Sequence, residues 1–112
     1  MKINGVELEF NCFEEQTNKR TGKALKHVVA AAKEAEAYKK AYEKIAVICN
    51  GVKEAFDLIF GAGTGDNVCG EENDLLKCTN AFTELINEQK NQELEMAQST
   101  KRLTSIISVV EE

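Results

Sequence analysis

Four cysteines, one histidine and a glycine-rich run are the features of this chain whose types could do chemistry. Cys12, Cys49, Cys69 and Cys78 are even in number, as a disulfide framework would require. Their spacing contains no Cys-x-x-Cys pair, and with His27 as the sole histidine it supplies no local ligand set for a tetrahedral zinc. They read as reduced thiols, with Cys49 on an apolar helical stripe and Cys78 near another, where free cysteine behaves as a small hydrophobe. His27 stands among Lys23, Lys26 and Val28 with no nucleophile at a defined spacing, and reads as a surface or half-buried residue. The run GAGTGDNVCG over 61–70 suggests a phosphate cradle, because glycine-rich amides at a helix start bind anions. It follows a helical pattern instead of a strand and lacks the Gly-Lys-Ser/Thr ending, which argues against that use. The carboxylate pairs Glu14/Glu15, Glu71/Glu72 and Glu111/Glu112 are adjacent in sequence, so on a helix they diverge. The expectation is a non-enzymatic protein with no catalytic, cofactor-binding or metal-binding residue.

The elements that must position these residues follow from the apolar spacing. Over 1–13, Asn4-Gly5 is the signal for a type I′ hairpin, since both central residues need positive φ. Val6, Leu8 and Phe10 then alternate with Glu7 and Glu9, giving one apolar face. A lone hairpin is marginal in water, so that face must rest on helices or on another subunit. From residue 14 the spacing becomes helical: Leu25, Val28, Ala32, Ala35, Tyr38, Tyr42, Ile45, Cys49, Val52, Phe56 and Ile59 hold one phase. The phase predicts a long helix over 14–60, kinked or broken at Asn50-Gly51 or near Lys39-Lys40. Ala30 to Ala32, Ala35, Ala37 and Ala41 make it slim, which suits either close approach of another backbone or simple helix propensity.

A glycine-rich corner over 61–72 follows, with Phe60, Gly61, Gly63, Thr64 and Gly70 as its structural residues. Gly61 ends the long helix, Thr64 caps one turn over 65–68, and Gly70 releases the chain. Asn73 then caps a helix over 73–92 with Leu75, Leu76, Ala81, Phe82, Leu85 and Ile86 inward. The stretch 87–93 is wholly polar, so this helix either projects into solvent or ends there. Apolar spacing returns over 93–112 at Leu103, Ile106, Ile107 and Val110, whose β-branched members leave strand open although helix is favoured. The fold class is thus mainly α in a single domain: an N-terminal β-hairpin, a long helix, the corner, and one or two further helices. Phe56, Phe60 and Phe82 are expected in one core where the main helices meet across the corner.

Composition narrows the partners. With 112 residues, no proline, no tryptophan and 29% charged residues, the chain suits a helical soluble protein placed in a cytoplasm. A net charge of −5 argues against a general nucleic-acid binder, and no apolar run reaches the ~18 residues of a membrane span. The charge is uneven: residues 16–62 carry net +4 and residues 63–112 net −6. Such halves can attract head to tail, or they can be ordinary solvated helix faces.

The opening MKINGVELEFNCF, the succession IAVICNGVKEAFDLIFGAGTGDNVCG and the later NDLLKCTNAFTELI resemble small proteins of bacteriophages and prophages of Gram-positive bacteria. The Phe-Gly-x-Gly-Thr corner with a later glycine (Phe60, Gly61, Gly63, Thr64, Gly70) and the Ala81-Phe82 pair carry the likeness, which covers roughly residues 1–90. Such proteins resemble the tail assembly chaperones of long-tailed phages. The resemblance implies a self-associating protein that coats the tape measure protein before the tail tube polymerises. Cys69 departs from the pattern where an aromatic residue is expected, and the segment from Gln92 onward has no counterpart in it. A reading from another class is a small acidic regulatory or inhibitor protein that occupies a basic partner surface.

Overall fold

The computed structural model describes residues 1–111, ordered as strands β1 (Lys2–Ile3) and β2 (Val6–Glu7) and helices α1 (Glu15–Ala35), α2 (Ala41–Phe60), α3 (Thr64–Cys69) and α4 (Leu75–Glu111). The fold is mainly α with an N-terminal hairpin.

The hairpin turns at Asn4-Gly5 with φ of 48° and 82°, the positive pair that a type I′ turn requires. Its antiparallel register pairs Lys2 with Glu7 and Ile3 with Val6. The strands are shorter than the alternation to Phe10 implies, although the Leu8 amide still donates to the Met1 carbonyl at 2.8 Å. Helices supply the support that a two-stranded ribbon needs. Ile3 is fully buried, and the Asn4 side-chain amide donates to the Val68 carbonyl at 2.7 Å, tying the turn to α3.

The long helix expected over 14–60 is two helices. It breaks over 36–40, near the Lys39-Lys40 position, while Asn50-Gly51 lies undisturbed inside α2. No glycine or proline marks this break, so tertiary packing decides it: α1 and α2 fold back antiparallel, and each gives the other an apolar face. Gly51 makes the approach possible, because a Cβ there would lie 2.4 Å from the Cβ of Ala31. Ala24, Ala31 and Ala35 are buried along the same seam. Of the alanines expected to make a slim face, Ala31 and Ala35 are used within the chain, and Ala30, Ala32, Ala37 and Ala41 remain exposed.

After the corner, one continuous helix of 37 residues runs through the polar stretch, the projecting alternative of the two left open there; residue 112 lies outside the described residues. Asp74, not Asn73, provides the side-chain cap, its Oδ1 accepting from the Lys77 amide at 3.1 Å. The polar stretch 87–93 does not end the helix. Gln92 is buried there, accepting from the Cys12 amide at 2.6 Å and donating to the Phe10 carbonyl at 2.7 Å. It staples the segment between hairpin and α1 onto α4.

The core runs through Ile3, Val52, Phe56, Ile59, Val68 and Leu85. Phe56 is at its centre with no exposure, and Phe60 and Phe82 pack partly buried against it. The Phe60 ring stacks on Phe56 with centroids 6.0 Å apart and meets Phe10 at 5.8 Å. The molecule measures 65 × 30 × 20 Å. Its long dimension follows α4, which at 1.5 Å per residue is about 55 Å long.

Candidate interaction surface

The corner is built for rigidity. Gly61 and Gly70 close α2 and α3 with φ of 113° and 83°, and Gly63 precedes α3 with φ of 89°. Thr64 begins α3 but makes no capping bond. Asp57 performs that task from the last turn of α2: its Oδ1 accepts from the Gly65 amide at 2.7 Å, and its carbonyl accepts from the Gly61 amide at 2.9 Å. One turn earlier, the nearly buried Lys53 donates to the Glu71 and Glu72 carbonyls at 3.1 and 3.2 Å and pairs with Asp66 at 3.6 Å. Sequence reasoning missed both residues. The available signal was a lysine in phase with an apolar stripe, where a charge must have partners.

Beneath the corner, Cys49, Cys69 and Cys78 come together with no exposure, each from a different helix. Burial pushes the Cys49 and Cys69 thiols up to about 12, and the neighbouring Cys78 adds to the effect in both. Cys12 is also raised, chiefly by burial, and its thiol lies 3.9 Å from the Thr21 hydroxyl. All four are free thiols. Their neutral form is a poor nucleophile and a poor metal ligand. Among the described residues, no group of three or more His, Cys, Asp or Glu is arranged to hold a metal ion.

His27 pairs with Glu54 across α1 and α2 at the edge of a shallow cleft that Glu34 and Asn50 also line. Both partners are about half exposed, and the pair bridges the two helices. Glu14 caps α1; the Thr17 hydroxyl and then the Thr17 and Gln16 amides hold its carboxyl below the usual range. Among the described residues, no helix is long and apolar enough to cross a membrane.

Two apolar features stand out on the surface of the described residues. The first is an open groove of about 480 Å³ between three helices, walled by Val28 and Ala32 of α1, Ile48 and Val52 of α2, and Phe82 and Ile86 of α4. Lys90 is the one charged side chain lining it among the described residues. The second is the end of α4. Gln92 is the last buried residue, and from 97 to 111 every residue is exposed. This arm carries Leu103, Ile106, Ile107 and Val110, with exposures of 58, 58, 47 and 78%, at the i, i+3, i+4, i+7 spacing that defines one helix face.

A family model described as "Family of unknown function (DUF6673)" matches residues 4–105. The chain belongs to this family. The match takes in the hairpin turn, the corner, the groove and the arm as far as Ser105. No curated protein and no solved structure matches the chain.

Proposed function

We propose that this family member is a non-enzymatic assembly protein of a phage or prophage, a tail assembly chaperone that self-associates in the host cytoplasm and coats the tape measure protein. One observation carries the reading: an apolar strip of four side chains stands outside the folded body on a helix end that nothing among the described residues covers. Exposing it has a cost in water that a partner relieves. A helical strip of this spacing is the usual form in which helices present anchors to a groove. The likeness of the Phe60–Gly70 corner and the Ala81-Phe82 pair to tail assembly chaperones supplies the class of partner.

The test is co-expression of the full chain with a tape measure protein from the same phage or prophage, followed by size measurement of the purified product. The expected result is a large complex holding many copies of this chain per tape measure. A chain that stays monomeric and leaves the tape measure protein to aggregate overturns the reading.

A further inference from the structure

We infer that the outer face of α1 docks an acidic α-helix of a partner protein, at a surface separate from the apolar strip of α4. Residues 16–33 carry five Lys or Arg and no Asp or Glu, inside a chain whose net charge is −5. Four of those cations, Lys19, Lys23, Lys26 and Lys33, are exposed. At 100° per residue they fall within roughly 80° of one another, so they form one stripe about 21 Å long on the side of α1 away from its buried alanines. Acid bounds this stripe only at its ends, with Glu15 one turn before Lys19 and Glu34 directly after Lys33. Among the described residues, none of the four lysines makes an ion pair: the bridges are Met1–Glu7, His27–Glu54 and Lys53–Asp66.

Two features set this face apart from an ordinary solvated one. A solvated helix face mixes the signs, so that a Lys has a Glu one turn away. Here Lys19 and Lys23 are like charges at i, i+4, a spacing that weakens a helix until an anion lies beside it. The second feature is Gly22, which stands between Lys19 and Lys26 in the interior of α1, where glycine is less stable than alanine. Nothing within the chain requires it, because a Cβ there would meet nothing within 4 Å. Open glycine on a helix face leaves room for another backbone to come close. The spacing gives the shape of that partner. Lys19, Lys26 and Lys33 recur every seven residues, with Gly22 and the exposed Val29 between them, the repeat by which two helices stay in contact over several turns. A nucleic-acid strand needs no such repeat, and α1 holds no Phe, Tyr or Trp on which a base could stack. The net charge of the chain also repels a long polyanion more than one short acidic helix.

The probe is a synthetic helical peptide of about three heptads with glutamates recurring along one face, titrated calorimetrically into the full chain beside the same peptide with glutamine in their place. The Glu peptide should bind, less tightly as salt is raised, and the Gln peptide should bind at least about tenfold more weakly. Lys23→Glu and Lys26→Glu should each weaken binding about tenfold or more. Gly22→Ala should weaken binding while raising the melting temperature of the free chain, which separates a lost contact from a lost fold. Lys101→Glu, which removes a cation from α4, should leave the affinity unchanged. If circular dichroism shows a charge reversal unfolded, Lys26→Gln takes its place. An equal loss from Lys101→Glu shows attraction by total charge and overturns the inference. So does a Glu peptide that fails to bind, a Gly22→Ala protein that binds as wild type does, or a duplex oligonucleotide that occupies the same lysines more tightly than the peptide.

Discussion

Gly65 sits in the first turn of α3, where helix propensity alone favours alanine by about 1 kcal/mol. The structure reverses that sign. A Cβ on Gly65 would lie 2.3 Å from the Lys53 carbonyl oxygen and 2.6 and 2.7 Å from its Cα and carbonyl carbon. Ordinary contacts begin near 3.5 Å, and the obstacle is helical backbone that cannot rotate away. Relief requires α3 to retreat from α2 by about 1 Å, which takes the 2.7 Å bond from the Gly65 amide to Asp57 out of hydrogen-bond range. Overpacking costs about 1–3 kcal/mol, and a lost bond to a carboxylate about 1.5–3 kcal/mol. After the propensity gain, Gly65→Ala should destabilise by about 1.5–5 kcal/mol. At roughly 4 °C per kcal/mol for a chain of this size, the melting temperature falls by about 6–20 °C. Gly22→Ala is the control: it lies inside α1 with nothing within 4 Å of the new Cβ, and should gain up to about 1 kcal/mol. Thermal unfolding followed by circular dichroism at one low protein concentration reads both, because association would otherwise shift the midpoint. A Gly65→Ala protein that melts at or above wild type refutes the reasoning.

Gly51→Ala should cost about 1–3 kcal/mol by pushing α1 from α2, and adding Ala31→Gly should recover part of that loss despite its own propensity penalty; additive losses in a double-mutant cycle would show that the two do not touch. Gln92→Leu leaves the Cys12 amide and the Phe10 carbonyl without their partner, at about 1–3 kcal/mol for each buried group. Hydrogen exchange at the Cys12 amide should accelerate, and unchanged protection there would count against the staple. The thiols of Cys49 and Cys69 are raised from 9.0 to about 12 on folding, so their contribution to stability is full below pH 9 and lost as pH rises toward 12. The melting temperature should fall across that window, and thiol reagents at pH 8 should label these two only as fast as the chain unfolds; immediate labelling of the folded protein would contradict their burial.

Much of this fold is written in local signals. Asn4-Gly5 demands its turn through positive φ, Gly61 and Gly70 end helices by the same means, and helical spacing marks α2 and the first half of α4 as amphipathic. What was not legible depends on partners far away in sequence. The break over 36–40 carries no breaker residue, and the helical phase passes through it, so only the packing of Ala31 against Gly51 shows where the chain turns back. Gln92 looks like one more residue of a solvated stretch until two backbone groups 80 and 82 residues away appear beside it. Cys49, Cys69 and Cys78 follow no motif spacing because three helices, not one loop, bring them together. Lys53 and Asp57 were hidden for a related reason: their partners are backbone groups of the corner, whose positions exist only after the chain has folded.

The same packing changes which surfaces can drive assembly. From sequence, the alanine-rich face and the unsupported hairpin were both candidates for contact between copies. Ala31 and Ala35 are buried and Ile3 is sealed against the core, whereas Ala30, Ala32, Ala37 and Ala41 stay exposed, Ala32 on the wall of the groove. The opposite charges of residues 16–62 and 63–112 lie on elements already packed against each other, which satisfies part of that attraction within the chain. The largest apolar surfaces left outside include the arm, whose strip holds no charge between Leu103 and Val110, and a groove with one lysine on its rim. A partner held by either surface would be bound by apolar burial, which salt does not screen, so the sequence's charge asymmetry is the weaker of the two candidate forces.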